Sequence, residues 1–218
     1  MNSLLTSKLP THVTIGGAEV EINTDFRFSV RYEQLFKDNN IDNGDKWEKS
    51  LKLYYPILDK TIMTNEIEDI KLYELILNNT DEAIENIRWF YRCGEEPEVE
   101  IEEDQEENTI REEIYNFNYD SDKIIGAFMA QYGIDLITDD LHWWQFKAYF
   151  NSLNSEHELK KIMAIRATDI NSLPKEQQPS YRKLKRICAI PRNKDELLAL
   201  NAEEELLIRG GDLSELKE

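Results

Sequence analysis

Residues 116–150, NFNYDSDKIIGAFMAQYGIDLITDDLHWWQFKAYF, constrain the fold more than any other part of this chain. Aromatic residues, carboxylates and helix-start signals crowd together there. Asp120 or Ser121 stands where a cap is needed for a helix whose apolar stripe is Ile124, Ile125, Phe128, Met129 and Tyr132, and Gly133 ends it. Thr138 opens the next helix, and Asp139 and Asp140 put negative charge at its positive end. Residues 141–153 are apolar nearly all round, which predicts burial. The stretch therefore reads as a tightly specified two-helix core, and nothing in it has the pattern of an active site.

The remaining punctuation is mostly helical. Residues 12–23, HVTIGGAEVEIN, alternate apolar and polar around Gly16-Gly17, a pair that supplies the positive φ angles of a tight hairpin turn. Such a hairpin must pack on helices or pair with another chain, because two strands alone are marginal in water. Asp25 begins a helix with Phe28, Tyr32 and Leu35 on one face, and Asp45 with Glu48 forms a capping box for a helix ending before Pro56. Asn65 caps a segment carrying Ile67, Ile70, Leu75 and Leu77, and another runs from Thr80 to a stop at Gly94. Ser155 with Glu158 makes a further box. Tyr181, Leu184 and Cys188 form a stripe that stops at Pro191, and Asn193 with Glu196 opens a last amphipathic helix. The expected architecture is mostly α, a helical bundle with an N-terminal β-hairpin and a flexible acidic linker in the middle. Residues 1–94 form the hairpin-plus-helices part, 95–113 the linker, 114–192 a helical core, and 193–218 a C-terminal helix and tail.

Charge is distributed unevenly. The chain has 218 residues, a formal net charge of −18 and 10% aromatic residues, so it is acidic and too aromatic for a disordered polymer. Eleven acidic residues and one basic residue fall within 95–113, whereas 159–194 hold ten basic and two acidic ones. The acidic run reads as a solvated spacer, with a polyanionic lure for a basic partner, or a cover for the basic segment, as its functional alternative. The overall balance argues against general nucleic-acid binding. No apolar run has the length to cross a bilayer, and the first residues lack the pattern of a signal peptide. Cys93 and Cys188 read as reduced thiols of a cytoplasmic protein, with one disulfide as the alternative.

Few residues offer chemistry. His12, His142 and His157 are scattered, without the short spacings of a metal site, so no metal and no cofactor is expected. His142 has Asp139 one turn away, yet a histidine on a buried aromatic helix is more simply a group donating one hydrogen bond to a satisfied partner. Neither a phosphate-binding glycine loop nor a nucleophile elbow is present, and an enzyme is not expected. Trp143 and Trp144 lie about 100° apart on a helix, so one can fill the core while the other meets a partner. Arg166 shares a face with Leu159 and Ile162 and needs a carboxylate, with Asp135 or Asp169 as the expected partner in a structural clamp. Tyr181, Arg182, Lys185 and Arg186 on a basic helix, and Leu197 and Leu200 on the last one, complete the candidate partner-binding residues.

The same residues carry a family resemblance. Tyr119-Asp120, Ala127-Phe128, Tyr132-Gly133-Ile134-Asp135-Leu136 and Leu141-His142-Trp143-Trp144 with Phe146 lead into Ile162-Met163, Arg166, Asp169, Lys185 and Pro191. Upstream, Thr24-Asp25-Phe26-Arg27 and Trp89-Phe90-Tyr91 with Cys93-Gly94 match as well. In these positions the chain resembles the bacteriophage "gene product fifteen" family of tail-morphogenesis proteins, over residues 9–192 apart from the acidic linker. The resemblance implies a gene between the major tail protein and the tape-measure protein. Products from that position are regarded as tail assembly chaperones that coat the tape measure while tail-tube subunits polymerise. It brings no catalytic residue. The partner it implies is the tape-measure protein, with the major tail protein and a homo-oligomer as further expectations, in the host bacterial cytoplasm and not in the mature virion. The rival reading is an acidic phage regulator or nucleic-acid mimic acting on a host protein. Deleting 95–107 separates the two, since a mimic loses activity and a chaperone keeps it.

Overall fold

The computed structural model describes residues 7–60, 67–96 and 113–191, together with 198, 202 and 209. Strands β1 (His12–Ile15) and β2 (Ala18–Glu21) pair antiparallel, with Val13 opposite Val20 and Ile15 opposite Ala18. Helices follow at α1 (Phe26–Lys37), α2 (Asn43–Tyr54), α3 (Ile57–Lys60), α4 (Ile67–Asn78) and α5 (Thr80–Tyr91). Beyond the acidic stretch come α6 (Ser121–Tyr132), α7 (Trp143–Asn151), α8 (Glu158–Ala167), a 3-10 turn at Ile170–Ser172 and α9 (Gln178–Ile187). The fold is mostly helical with an N-terminal hairpin, as the sequence pattern predicts. Most of the acidic run, 97–112, and the final segment opened by Asn193, apart from helical 198 and 202 and turn residue 209, lie outside the described residues.

These elements form two compact units. The first takes the described residues up to 96 together with 135–152, and the second takes 113–134 and 153–191. Segment 114–192 is thus shared between the two, with α7 in the first unit beside the N-terminal elements. The physical reason is aromatic. Phe26 of α1 stacks on Phe146 of α7 at 4.7 Å, and Tyr91 of α5 stacks on Trp143 at 5.4 Å.

In the first unit the hairpin turns at Gly16 (φ 54°) and Gly17 (φ 82°), both in the left-handed region. Gly16 is required twice over, since a Cβ there would lie 2.7 Å from Leu75 Cδ1. Val13, Ile15, Val20 and Ile22 turn inward onto the helices. The backbone of β1 is tied to α5, where Asn86 donates to Thr14 O and Glu82 accepts from Gly16 N.

Asp25 caps α1 by accepting from Arg27 N, but the buried face is Phe26, Ser29 and Tyr32, with Phe28 and Leu35 only half-buried. The inward direction of α1 is set by its neighbours α2 and α7. Ser29 Oγ lies 2.8 Å from Tyr54 Oη, so this buried serine hydroxyl has a partner in the core. α2 starts earlier than its expected capping box, because Asp42 captures Asp45 N at 3.1 Å. α5 ends in a Schellman arrangement, with Gly94 N donating to Trp89 O and Cys93 N to Phe90 O. Cys93, at φ 59°, takes the left-handed position one residue before the glycine that marks the stop in the sequence.

The second unit is smaller. Phe117, Ile124, Ala127, Phe128, Leu153 and Leu159 make its apolar core. α6 ends at Gly133 in the left-handed conformation, as expected. α8 starts at Glu158 with His157 in the capping position, so the expected Ser155 box does not form.

Candidate functional site

Arg166 lies at the centre of the second unit. It is 4% exposed, and its guanidinium meets Asp120, itself fully buried, through Nη1–Oδ2 at 2.6 Å and Nη2–Oδ1 at 2.9 Å. The same group donates to Ile114 O at 3.1 Å and to Cys188 O at 2.5 Å. One cation therefore joins the approach to α6, the capping position just before α6 and the end of α9. The fork geometry of arginine suits this role, since a carboxylate is held bidentately while further N–H groups reach backbone carbonyls.

The clamp expected at Arg166 exists, but its carboxylate is neither Asp135 nor Asp169. Asp135 accepts from Ile137 N and belongs to the first unit, and Asp169 caps the 3-10 turn by accepting from Asn171 N. Asp120 is also the residue preceding α6, yet its side chain makes no cap bond there because Arg166 and Asn116 N occupy it. Its position before α6 resembles that of any capping aspartate, so sequence alone carries no sign of this use.

Trp143 and Trp144 are both core residues, 2% and 6% exposed, which corrects their candidacy as partner contacts. Trp143 Nε1 donates to Tyr91 O at 2.9 Å and Trp144 Nε1 to Phe90 O at 2.8 Å. The adjacent indoles thereby satisfy carbonyls at the end of α5, where a helix lacks internal donors.

α7 begins at Trp143, later than Thr138 predicts, because 136–138 form a turn and His142 acts as the cap. His142 Nδ1 accepts from Trp144 N at 3.1 Å, which leaves Nε2 to donate to Pro10 O at 3.0 Å. This is the satisfied histidine that the sequence suggests, and burial holds its pKa below the ordinary value. Backbone bonds from Phe26 N to Leu141 O and from Trp143 N to Thr24 O tie this loop to the start of α1.

Beside the loop lies an open groove of about 540 Å³ lined by Asp25, Arg27, Phe28, Arg31, Asp140 and His142, among others. Arg27 is already engaged, pairing with Asp25 at 2.8 Å and donating to Leu136 O, Ile137 O and Asp139 O. The groove holds no nucleophile and base within bonding reach of each other. Among the described residues, no group of three His, Cys, Asp or Glu is arranged to hold a metal ion, and no helix is long and apolar enough to cross a membrane.

Two helix surfaces stand out instead. α9 has no buried residue; Arg182, Lys183, Leu184 and Arg186 are exposed, while Tyr181 and Lys185 are half-buried. Lys185 is partly committed, donating to Thr168 O at the end of α8. The second surface, on α4, is not evident from the sequence. The sequence offers Ile67, Ile70, Leu75 and Leu77 as the apolar residues of this segment, but the structure buries Ile76 and leaves Ile67, Ile70 and Leu77 exposed. The helix has apolar residues on two sides, and periodicity does not reveal which side packs. Leu197 and Leu200 lie outside the described residues.

The model of the family described as Bacteriophage Gp15 protein matches residues 5–190. No curated protein and no solved structure matches the chain.

Proposed function

The chain belongs to the Bacteriophage Gp15 protein family, and from that premise we propose that it is a non-enzymatic tail assembly protein, a chaperone that binds the tape-measure protein while the tail tube forms. Family membership supports the coarser part, a structural or morphogenetic phage protein. The observation that carries the finer part is the outward face of α9. Arg182, Lys183 and Arg186 lie exposed around Leu184, a surface suited to an amphipathic helical client with acidic flanks. The acidic remainder of the chain keeps a complex with an aggregation-prone client in solution. On this reading the protein acts in the host cytoplasm and is absent from the finished virion. The major tail protein is a second possible contact.

Co-expression with the adjacent tape-measure protein, followed by pull-down and size exclusion with light scattering, tests it. A soluble complex with several copies per tape-measure chain is expected, and Arg182→Glu with Lys183→Glu reduces its recovery. An insoluble tape measure with this protein eluting alone rejects the client assignment.

A further inference from the structure

α9 is held differently from the other helices of the second unit. α6 buries Ile124, Ala127 and Phe128, and α8 buries Leu159 and Arg166, whereas α9 buries no residue. The row it turns toward the unit is Gln178, Tyr181, Lys185 and Cys188, at the i, i+3, i+7, i+10 spacing of one helix side, and each of the four is half-buried. Two of these side chains are polar, and both reach backbone carbonyls. Lys185 Nζ donates to Thr168 O and Gln178 Nε2 to Leu173 O, each at 3.0 Å. A third tie runs the other way, from Arg166 Nε to Cys188 O.

A seam of this kind exchanges readily for water. At a half-exposed surface a parted donor and carbonyl are both rehydrated, so each bond adds little net stability, and no sealed apolar patch has to open. Arg166 keeps Asp120 and Ile114 O when Cys188 O leaves, so the buried charge is never left alone. Residues 174–177, which lead into α9, are exposed throughout and supply the joint. Once off the unit, ten residues are too few to hold a helix in water, so α9 unwinds as it leaves.

We infer that α9 detaches from the second unit as a separate segment while α6 and α8 stay folded. Detachment bares Tyr181 and Cys188 in addition to Leu184, which is already exposed. The segment thus has two states, a docked helix showing a basic strip and an open chain that can refold on a partner with its apolar side as well. The inference concerns how α9 is attached and does not rest on which protein its outward face meets.

Native-state amide exchange on the full chain, read by mass spectrometry at low urea, tests it. Amides of α9 are expected to exchange about 100-fold or more faster than the slowest of α6 and α8. Their rates should also depend less steeply on urea, because a local opening exposes little surface. Lys185→Ala removes a charged tie and speeds exchange in α9 about tenfold, with α6 and α8 unchanged. Amides of α9 that share the slowest rates and the urea slope of α6 and α8 overturn the inference. So does a Lys185→Ala chain in which all three helices speed up together, or in which α9 exchanges as in wild type.

Discussion

Removing Arg166 is expected to collapse the second unit. The side chain makes four hydrogen bonds, two to Asp120 and one each to Ile114 O and Cys188 O. In Arg166→Ala the Asp120 carboxylate, fully buried, keeps only the Asn116 N–H, and two carbonyls lose a charged donor. Adding the bonds singly at about 1.5–3 kcal/mol each overshoots, because the arginine also loses its hydration on folding. Cutting one partner from a buried pair costs about 3–5 kcal/mol, and that is the expected effect here. With a urea slope of about 1–2 kcal/mol/M for so small a unit, the midpoint falls by roughly 2–4 M.

All four tryptophans, at 47, 89, 143 and 144, lie in the first unit, so tryptophan emission does not read this loss directly. The assay is amide hydrogen exchange on peptides from α6, α8 and α9, with far-ultraviolet circular dichroism in urea alongside. Protection in those peptides should fall by the factor that 3–5 kcal/mol implies, about 10² to 10³ or more. Arg166→Met combined with Asp120→Leu should be less damaging than Arg166→Ala, since no charge is left buried alone. A midpoint shift under about 0.5 M would refute the reasoning, because a surface ion pair is worth that little.

Other outcomes follow from the same geometry. His142 is held below its usual pKa, so the unfolded chain binds its proton more readily than the folded one. The contribution is present above the ordinary value of 6.5 and is lost as pH falls through the lower folded value. Thermal melts should show His142→Asn, which keeps an acceptor for Trp144 N, losing less stability between pH 7.5 and 5 than wild type. Gly16→Ala combines a left-handed backbone with a 2.7 Å approach to Leu75, whereas Gly17→Ala meets nothing within 4 Å. Melting should therefore put Gly17→Ala at about 1–2 kcal/mol and Gly16→Ala clearly above it. Burial pushes the Cys93 thiol up to about 11, against an ordinary value of 9.0. Iodoacetamide at pH 8 should label it about 100-fold more slowly than a free thiol, the ratio of thiolate expected for that shift. Trp144→Phe keeps a ring against Phe90 and removes the indole donor to Phe90 O, which retains the Cys93 N–H, so the loss from that bond is expected at about 0.5–1.5 kcal/mol by urea titration.

Local chemistry alone determined a large part of this protein. Gly16-Gly17 dictated the hairpin turn, Gly133 the end of α6 and Pro56 the end of α2, because each acts through backbone dihedrals that no distant contact needs to supply. The need of Arg166 for a carboxylate was likewise legible, as was the satisfied role of His142, since a buried polar group must find a partner wherever it lands. Which partner it found was decided only in three dimensions. Asp120, Asp135 and Asp169 all sit at starts of turns or helices, and only the packing of α6 against α8 carries one of them to the guanidinium. The same holds for the tryptophans, whose indoles close off carbonyls of α5 more than fifty residues upstream. It holds also for α4, where two apolar sides compete and the packing of α3 and α5 leaves one of them outside. Periodicity records that a helix has an apolar side. Which side is buried depends on what arrives to cover it, and that is a property of the assembled fold.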